Sequence, residues 1–191
     1  MQLKWTAVAL AALTLVACGK KEEAAAPAAT PAPTAAAPAP AAPPADALVV
    51  KIGHVGPTSG PIAHLGKDNE FGAKMAIEDL NAKGLKIGDK VAKFELVAED
   101  DAGDPKQGTA VAQKLVDEKV NGVVGHLNSG TTIPASKLYS DAGIPQISPS
   151  ATNPKYTRQG FKTTFRVVAD DTQLGGTLGK YAVETLKGKN I

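Results

Sequence analysis

The stretch VNGVVGHLNSGTTIPAS, Val120 to Ser136, decides how the chain is read. An apolar run ends at Gly125, a turn of small and hydroxyl residues follows, and Ile133 with Pro134 opens a segment of helical character that continues to Ala142. Short apolar run, polar turn and amphipathic segment in that order predict a buried strand, a loop and a helix.

The same grammar extends in both directions. Upstream, DPKQ (Asp104 to Gln107) predicts a helix start, with Asp104 as N-cap, Pro105 at the first helical position and Gln107 placed for a capping box. Val111, Ala112, Leu115 and Val116 form the apolar face of that helix. Further upstream, VVKIGHVG (Val49 to Gly56) reads as a first strand and PTSGPIAHLG as a loop. A helix is expected from about Asp68 to Lys83, with Phe71, Met75, Ala76 and Leu80 on its inner face and Gly84 as its stop. LKIGDKVAKFELVAED contains a Gly-Asp turn and leads into a strand around Phe94 to Ala98. Downstream, IPQIS and KTTFRVV are two more strands. Asp170 with Gln173 then caps a last helix whose apolar face is Leu174, Leu178, Tyr181, Ala182 and Leu186.

Strands alternating with helices at this spacing predict an α/β fold built on a doubly wound parallel sheet covered on both faces. In such sheets ligands sit beyond the carboxyl ends of the strands. Ser129, Gly130, Thr131 and Thr132 fall there, as does SPSATNP, Ser148 to Pro154, after the next strand. A helix N-terminus exposes unpaired amides and the positive end of the helix dipole, which suits a carboxylate or phosphate. The plainer reading is that Ser129 or Thr131 caps its own helix. Two neighbouring hydroxyl-rich loops favour a zwitterion, with carbonyls of the second accepting from an ammonium while Thr152 donates to a carboxylate.

Composition removes other classes. The net charge is +2 and aromatics are 4%, without a cationic run longer than Lys20–Lys21, which argues against a nucleic-acid partner. GHVGPTSG has the wrong spacing for a dinucleotide loop, and GTLGKY lacks the residues of a phosphate-binding P-loop. His54, His64 and His126 are scattered and Asp100, Asp101 and Asp104 miss calcium-loop spacing, so neither a metal nor another cofactor is expected. A nucleophile paired with a base is not evident, and the chain is not expected to be an enzyme.

The first residues read as an address. Lys4 precedes an apolar run, Thr6 to Val16, of signal-peptide length, and LVAC places Cys18, the only cysteine, where a bacterial lipobox puts its lipidated residue. An ordinary signal peptide with an incidental cysteine is the other reading. Residues 1–17 are thus expected to be cleaved. Residues 18–47 are expected to be the lipidated cysteine and a tether, of which Glu22 to Ala47, almost only Ala and Pro, reaches roughly 80 Å if fully extended at about 3.1 Å per residue.

SGPIAHLG, DDAGDPKQ, GHLNSGTT, SATNP and TFRVVADD, in that order from about Leu48 to the end, together resemble the Leu/Ile/Val-binding class of periplasmic solute-binding proteins that serve ABC importers. The resemblance implies a type I binding protein of two α/β lobes closing on an amino acid. It implies Ser129 at the ligand carboxylate, the Ser150 carbonyl at its ammonium, and Ala151 and Thr152 completing the clamp. Leu65 stands where leucine-binding members place an aromatic against the ligand side chain. Gly103 and Asn128 stand where those members carry a disulfide pair, and both cysteines are missing together. The resemblance makes residues 48–169 the N-terminal lobe and 170–191 the start of a second lobe, so the chain reads as truncated. Its expected role is a monomeric, lipid-anchored receptor of the cell envelope, periplasmic or extracytoplasmic, delivering a branched-chain or related amino acid to inner-membrane permease subunits. The alternative is a sensor for amides, urea or similar solutes.

Overall fold

The computed structural model describes residues 46–190; the expected signal peptide, Cys18 and nearly all of the tether lie outside them. Strand β1 (Leu48–Gly56) leads to helix α1 (Ala63–Ala82), a short hairpin of β2 (Lys86–Ile87) and β3 (Lys90–Asp100), helix α2 (Pro105–Asp117), strand β4 (Gly122–Gly125), helix α3 (Ser129–Asp141) and strand β5 (Gln146–Ser148). A 3₁₀ turn (Pro154–Thr157), strand β6 (Thr164–Arg166), helix α4 (Asp171–Lys180) and a π-turn (Tyr181–Thr185) complete the described chain.

The strand order is β2-β3-β1-β4-β5-β6, parallel throughout except for the β2–β3 hairpin. The chain moves outward from β1 to β3, then crosses back to β4. Right-handed crossovers in opposite directions put α1 on one face and α2 with α3 on the other. The core lies on the second face: Val55, Val111, Ala112, Leu115, Val120, Val123, Ala135, Tyr139 and Ile144 pack together, joined by the partly buried Val97, Val116 and Leu138. All four apolar positions expected of α2 face this layer.

Helix α1 differs from its expected form in extent and rotation. It begins at Ala63, one turn before Asp68, because Gly66 lets the helix lie directly on the backbone of Pro57, where a methyl group would overlap. Phe71 and Met75 are 57% and 66% exposed. Ala76 and Leu80 line the sheet side as expected, joined by Ala73 and Ile77, around an open apolar cleft of about 590 Å³ whose floor is Ile52, Leu96 and Val124. The far end of α1 is tied to the sheet by Asn81, whose side-chain amide donates to the Phe94 carbonyl and accepts from the Phe94 amide.

The expected caps form. Asp104 accepts from the amides of Lys106 and Gln107, and Asp170 from that of Gln173. The reciprocal half of the Asp104 capping box does not: Gln107 reaches the Asp100 carbonyl, because the Asp104 amide already donates to the Asp101 carbonyl. Helix α4 has no buried residue among those described, and Leu174, Leu178, Tyr181 and Leu186 are 42%, 68%, 53% and 66% exposed.

Candidate ligand-binding site

The loops after β1, β3, β4 and β5 meet at the carboxyl edge of the sheet, at the point where the strand order reverses. Asp100 and Asp101, side by side at the end of β3, serve different neighbours. Asp100 Oδ1 accepts from the amides of Thr58, Ser59 and Ala102, fixing the loop that follows β1. Burial pushes its carboxyl up, but these bonds and the Ser59 hydroxyl outweigh it and hold the pKa below the usual carboxylate value. Asp101 is buried and turns toward the loop after β4.

Helix α3 starts at Ser129, four residues before Ile133, so Ser129, Gly130, Thr131 and Thr132 are its first turn and Pro134 lies inside it. The turn is stabilised from within: the Thr131 and Thr132 hydroxyls donate to the Asn128 carbonyl, which also accepts from both threonine amides. The plainer capping role for Ser129 or Thr131 is not realised, and Asn128 at the N-cap position makes no side-chain cap bond. Of the first-turn amides of α3, those of Thr131 and Thr132 are taken by the Asn128 carbonyl, and those of Ser129 and Gly130 open onto the loop edge, as helix ends without caps do.

Gly125 must be glycine. Its φ is +139°, and a methyl there would collide with the Val55 backbone. Beyond it, three bonds knit the loop after β4 to the loop after β5. Ser148 Oγ donates to the His126 carbonyl at 2.8 Å, Ser150 Oγ donates to the Leu127 carbonyl at 2.8 Å, and the Asn153 amide donates to Ser129 Oγ at 3.1 Å. Because Ser129 Oγ accepts there, its own hydroxyl proton is left to point elsewhere. Ala151 is buried and its amide donates to Ser148 Oγ, while the Thr152 carbonyl accepts from the Asp171 amide at the start of α4.

Ser129, Ser150, Ala151 and Thr152 thus share one cluster. Leu65 is in the first turn of α1 rather than in the preceding loop, and is 43% exposed. Supporting residues missed in the sequence include Arg166, whose guanidinium donates to the carbonyls of Ala151 and Asn153 from beneath the loop. Ser148, with its triple role, was read only as part of a hydroxyl-rich run. Of the three histidines, His64 is exposed on α1 while His54 and His126 are fully buried, and His126 is bonded to Asp101. Among the described residues no group of three or more His, Cys, Asp and Glu side chains is placed to hold a metal, and no helix is long and apolar enough to cross a membrane.

The family pattern of the periplasmic binding proteins matches residues 49–191. The chain belongs to that family. It is 48% identical over 143 residues to the leucine-specific-binding protein of Salmonella typhimurium, covering 74% of this chain and 38% of that one. Over 142 residues it is 43% identical to the Leu/Ile/Val-binding protein of Escherichia coli, again across 74% of this chain and 38% of the relative. Among solved structures, the branched-chain amino acid transporter substrate-binding protein of Streptococcus pneumoniae in complex with isoleucine is similar at a TM-score of 0.66 and 33% identity, covering 73% of this chain and 39% of that one. The chain therefore spans well under half the length of the periplasmic binding proteins it matches, and its described residues make one α/β lobe of such a protein.

Proposed function

We infer that this lobe grips the head group of a branched-chain or related amino acid as the substrate-binding component of an ABC importer. The observation that carries the reading is the pair of interlocked hydroxyl loops at the uncapped start of α3. The α3 amides and the Ser129 hydroxyl face a carboxylate, Thr152 adds a second hydroxyl donor, and the Ser150 carbonyl accepts from the ammonium with Ala151 closing the clamp. Leu65 contacts the ligand side chain from α1. The chain's similarity to a leucine-specific-binding protein and to a substrate-binding protein in complex with isoleucine supports this class of solute. Binding rather than catalysis is the role, in keeping with a family of transporter solute-binding proteins.

In this reading residues 170–191 begin a second lobe, and a ligand bridging both lobes stabilises the closed form that a permease distinguishes from the open one. The protein works outside the cytoplasm as a monomer, held to the membrane by lipid on Cys18 and by the Ala/Pro tether.

The test is calorimetric titration of the complete gene product, freed of residues 1–47, with leucine, isoleucine, valine, amides and aromatic acids. Saturation by a branched-chain amino acid, lost in Ser129→Ala combined with Thr152→Ala, is expected. At ligand about a hundredfold above Kd, roughly 2.7 kcal/mol of stabilisation accompanies it. Binding of urea or an amide instead, with no response to amino acids, would replace the transport reading by the sensor one.

A further inference from the structure

One residue holds the start of α3 from several directions. His126 is fully buried three positions before Ser129. Its ring Nδ1 lies 2.9 Å from Asp101 Oδ2, and its Nε2 lies 3.2 Å from the Tyr139 hydroxyl. Its backbone carbonyl accepts from Ser148 Oγ of β5 at 2.8 Å and from Thr132 Oγ1 of α3 at 3.1 Å. Asp101 is itself fixed: its amide donates to the Gly56 carbonyl, its carbonyl accepts from the Asp104 amide, and its Oδ1 accepts from the Gly103 amide. The end of β3, the body of α3 and the end of β5 are therefore referred to a single imidazole and its carbonyl.

The partners select one form of the ring. An ionised carboxylate only accepts, so the proton sits on Nδ1; Nε2 is then a lone pair, and the Tyr139 hydroxyl donates to it. Burial holds the His126 imidazole neutral, the Asp101 bond opposing it, and burial pushes the Tyr139 phenol up. Burial also pushes the Asp101 carboxyl up, but the bonds from His126 and Gly103 outweigh it and keep Asp101 ionised. The other titratable group facing this ring is His54 of β1, which burial keeps neutral as well. The order of donation is thus Tyr139 to His126 to Asp101. The opposite tautomer would set a lone pair against the carboxylate.

We propose that His126, held by Asp101 and Tyr139, is a positioning residue that fixes the register between the Ser129 turn and the Ser150–Thr152 loop and so sets the affinity of the head-group site. The inference rests on the amino-acid-binding reading for its ligand. Its geometric part does not need one, because the bonds that join the two loops pass through the His126 carbonyl or flank it.

The experiment uses the complete gene product with leucine as the probe. Three quantities are read: leucine affinity, the nitrogen NMR signature of the His126 ring, and hydrogen exchange at the bonded amides of Thr132 and Asn153. In the unaltered protein the ring shows the neutral Nδ1–H form at neutral pH. Asp101→Asn, which keeps the shape but lets either amide end face Nδ1, and His126→Phe, which removes both ring bonds, each weaken leucine by about tenfold or more and speed both amides. His126→Asn returns a donor toward Asp101 and recovers part of the loss. Leu115→Val, in the core away from the loops, lowers the melting temperature and leaves affinity in place. Leucine affinity within about twofold of the unaltered protein in Asp101→Asn, with exchange unchanged, overturns the proposal, as does a ring carrying its proton on Nε2. Should His126→Phe fail to fold, Asp101→Asn decides. If the unaltered protein binds no branched-chain amino acid, the function reading falls, and the tautomer and exchange readings still judge the positioning role.

Discussion

The two faces of the sheet are built by the same five parallel strands, yet one is closed and the other open. Under α2 and α3, side chains from Val55, Leu115, Val123 and Tyr139 meet with 0–2% exposure. Under α1, the helix touches through Gly66 at one end and Asn81 at the other, and a cleft of about 590 Å³ lies between. Ile147 and Phe165, 40% and 49% exposed, are further apolar groups in contact with water on β5 and β6. The closed face gives the fold its stability, and the loops at its carboxyl edge inherit that rigidity. The open face shows that a parallel sheet with apolar side chains on both sides stays only half satisfied when one helix covers so much of it.

That contrast can be broken by mutation, and the largest effect belongs to the closed face. Leu115→Ala, removing a fully buried side chain packed on Gly53 and Val123, is expected to cost about 2–5 kcal/mol in urea unfolding. Met75→Ala on α1 should stay within about 0.5 kcal/mol of the parent by the same assay. A comparable loss at both sites would erase the distinction between the faces.

Next in size is Gly66→Ala. The methyl meets Pro57 backbone, which cannot swing aside like a side chain, so α1 must lift. A loss of about 1–3 kcal/mol is expected. Circular dichroism and hydrogen exchange should place the damage in α1, with α2 and α3 still protected.

The buried histidines predict a pH dependence. Burial lowers the pKa of both His54 and His126 in the folded chain, against the opposing pull of Glu70 on the first and Asp101 on the second. Above the ordinary value near 6.5 both states are neutral and stability does not respond through these groups. As pH falls below that value the unfolded chain takes up protons that the folded chain refuses, so stability drops. Urea midpoints measured from pH 8 to pH 5 should fall across the acidic half, and His54→Gln should flatten part of the slope. A midpoint that rises on acidification would contradict the assignment.

The smallest effects are at the helix caps. Asp104→Ala opens the start of α2 on the closed face and is expected to cost about 1 kcal/mol. Asp170→Ala opens α4, whose described residues are not buried, so the global midpoint should move by less than about 0.5 kcal/mol while α4 amides exchange faster.

Those caps were also the most legible features of the sequence. Asp104 with Pro105, and Asp170 with Gln173, act within a single turn, and a local signal is all they need. Strand–helix alternation was equally readable, because Val49 to Gly56 and Gly122 to Gly125 carry their apolar character wherever the chain goes. The starts of α1 and α3 were not. Gly66 and the run Ser129–Gly130–Thr131–Thr132 are weak helix formers, and they are helical because Pro57 and the Asn128 carbonyl receive them. Half of the inner face of α1 was misread for a related reason: Ala76 and Leu80 turn to the sheet as expected, but Ala73 and Ile77 join them in place of the larger Phe71 and Met75, because size does not decide which stripe of a helix turns toward a sheet. Ser129, Ser150, Ala151 and Thr152 could be grouped from chain order and neighbouring strand ends. The link between His126 and Asp101 spans 25 positions and leaves no trace in the spacing of either.

Asn81 has a consequence for the company this sheet keeps. Its carboxamide presents the same donor and acceptor as a peptide unit, and it occupies both hydrogen-bonding groups of Phe94 on the outer side of β3, just beyond the place where β2 stops. Leu85 takes the amide of Ala92 one step earlier. A helix thus finishes the ladder with one side chain standing in for a strand, and a foreign strand approaching that border finds its first bonds already taken.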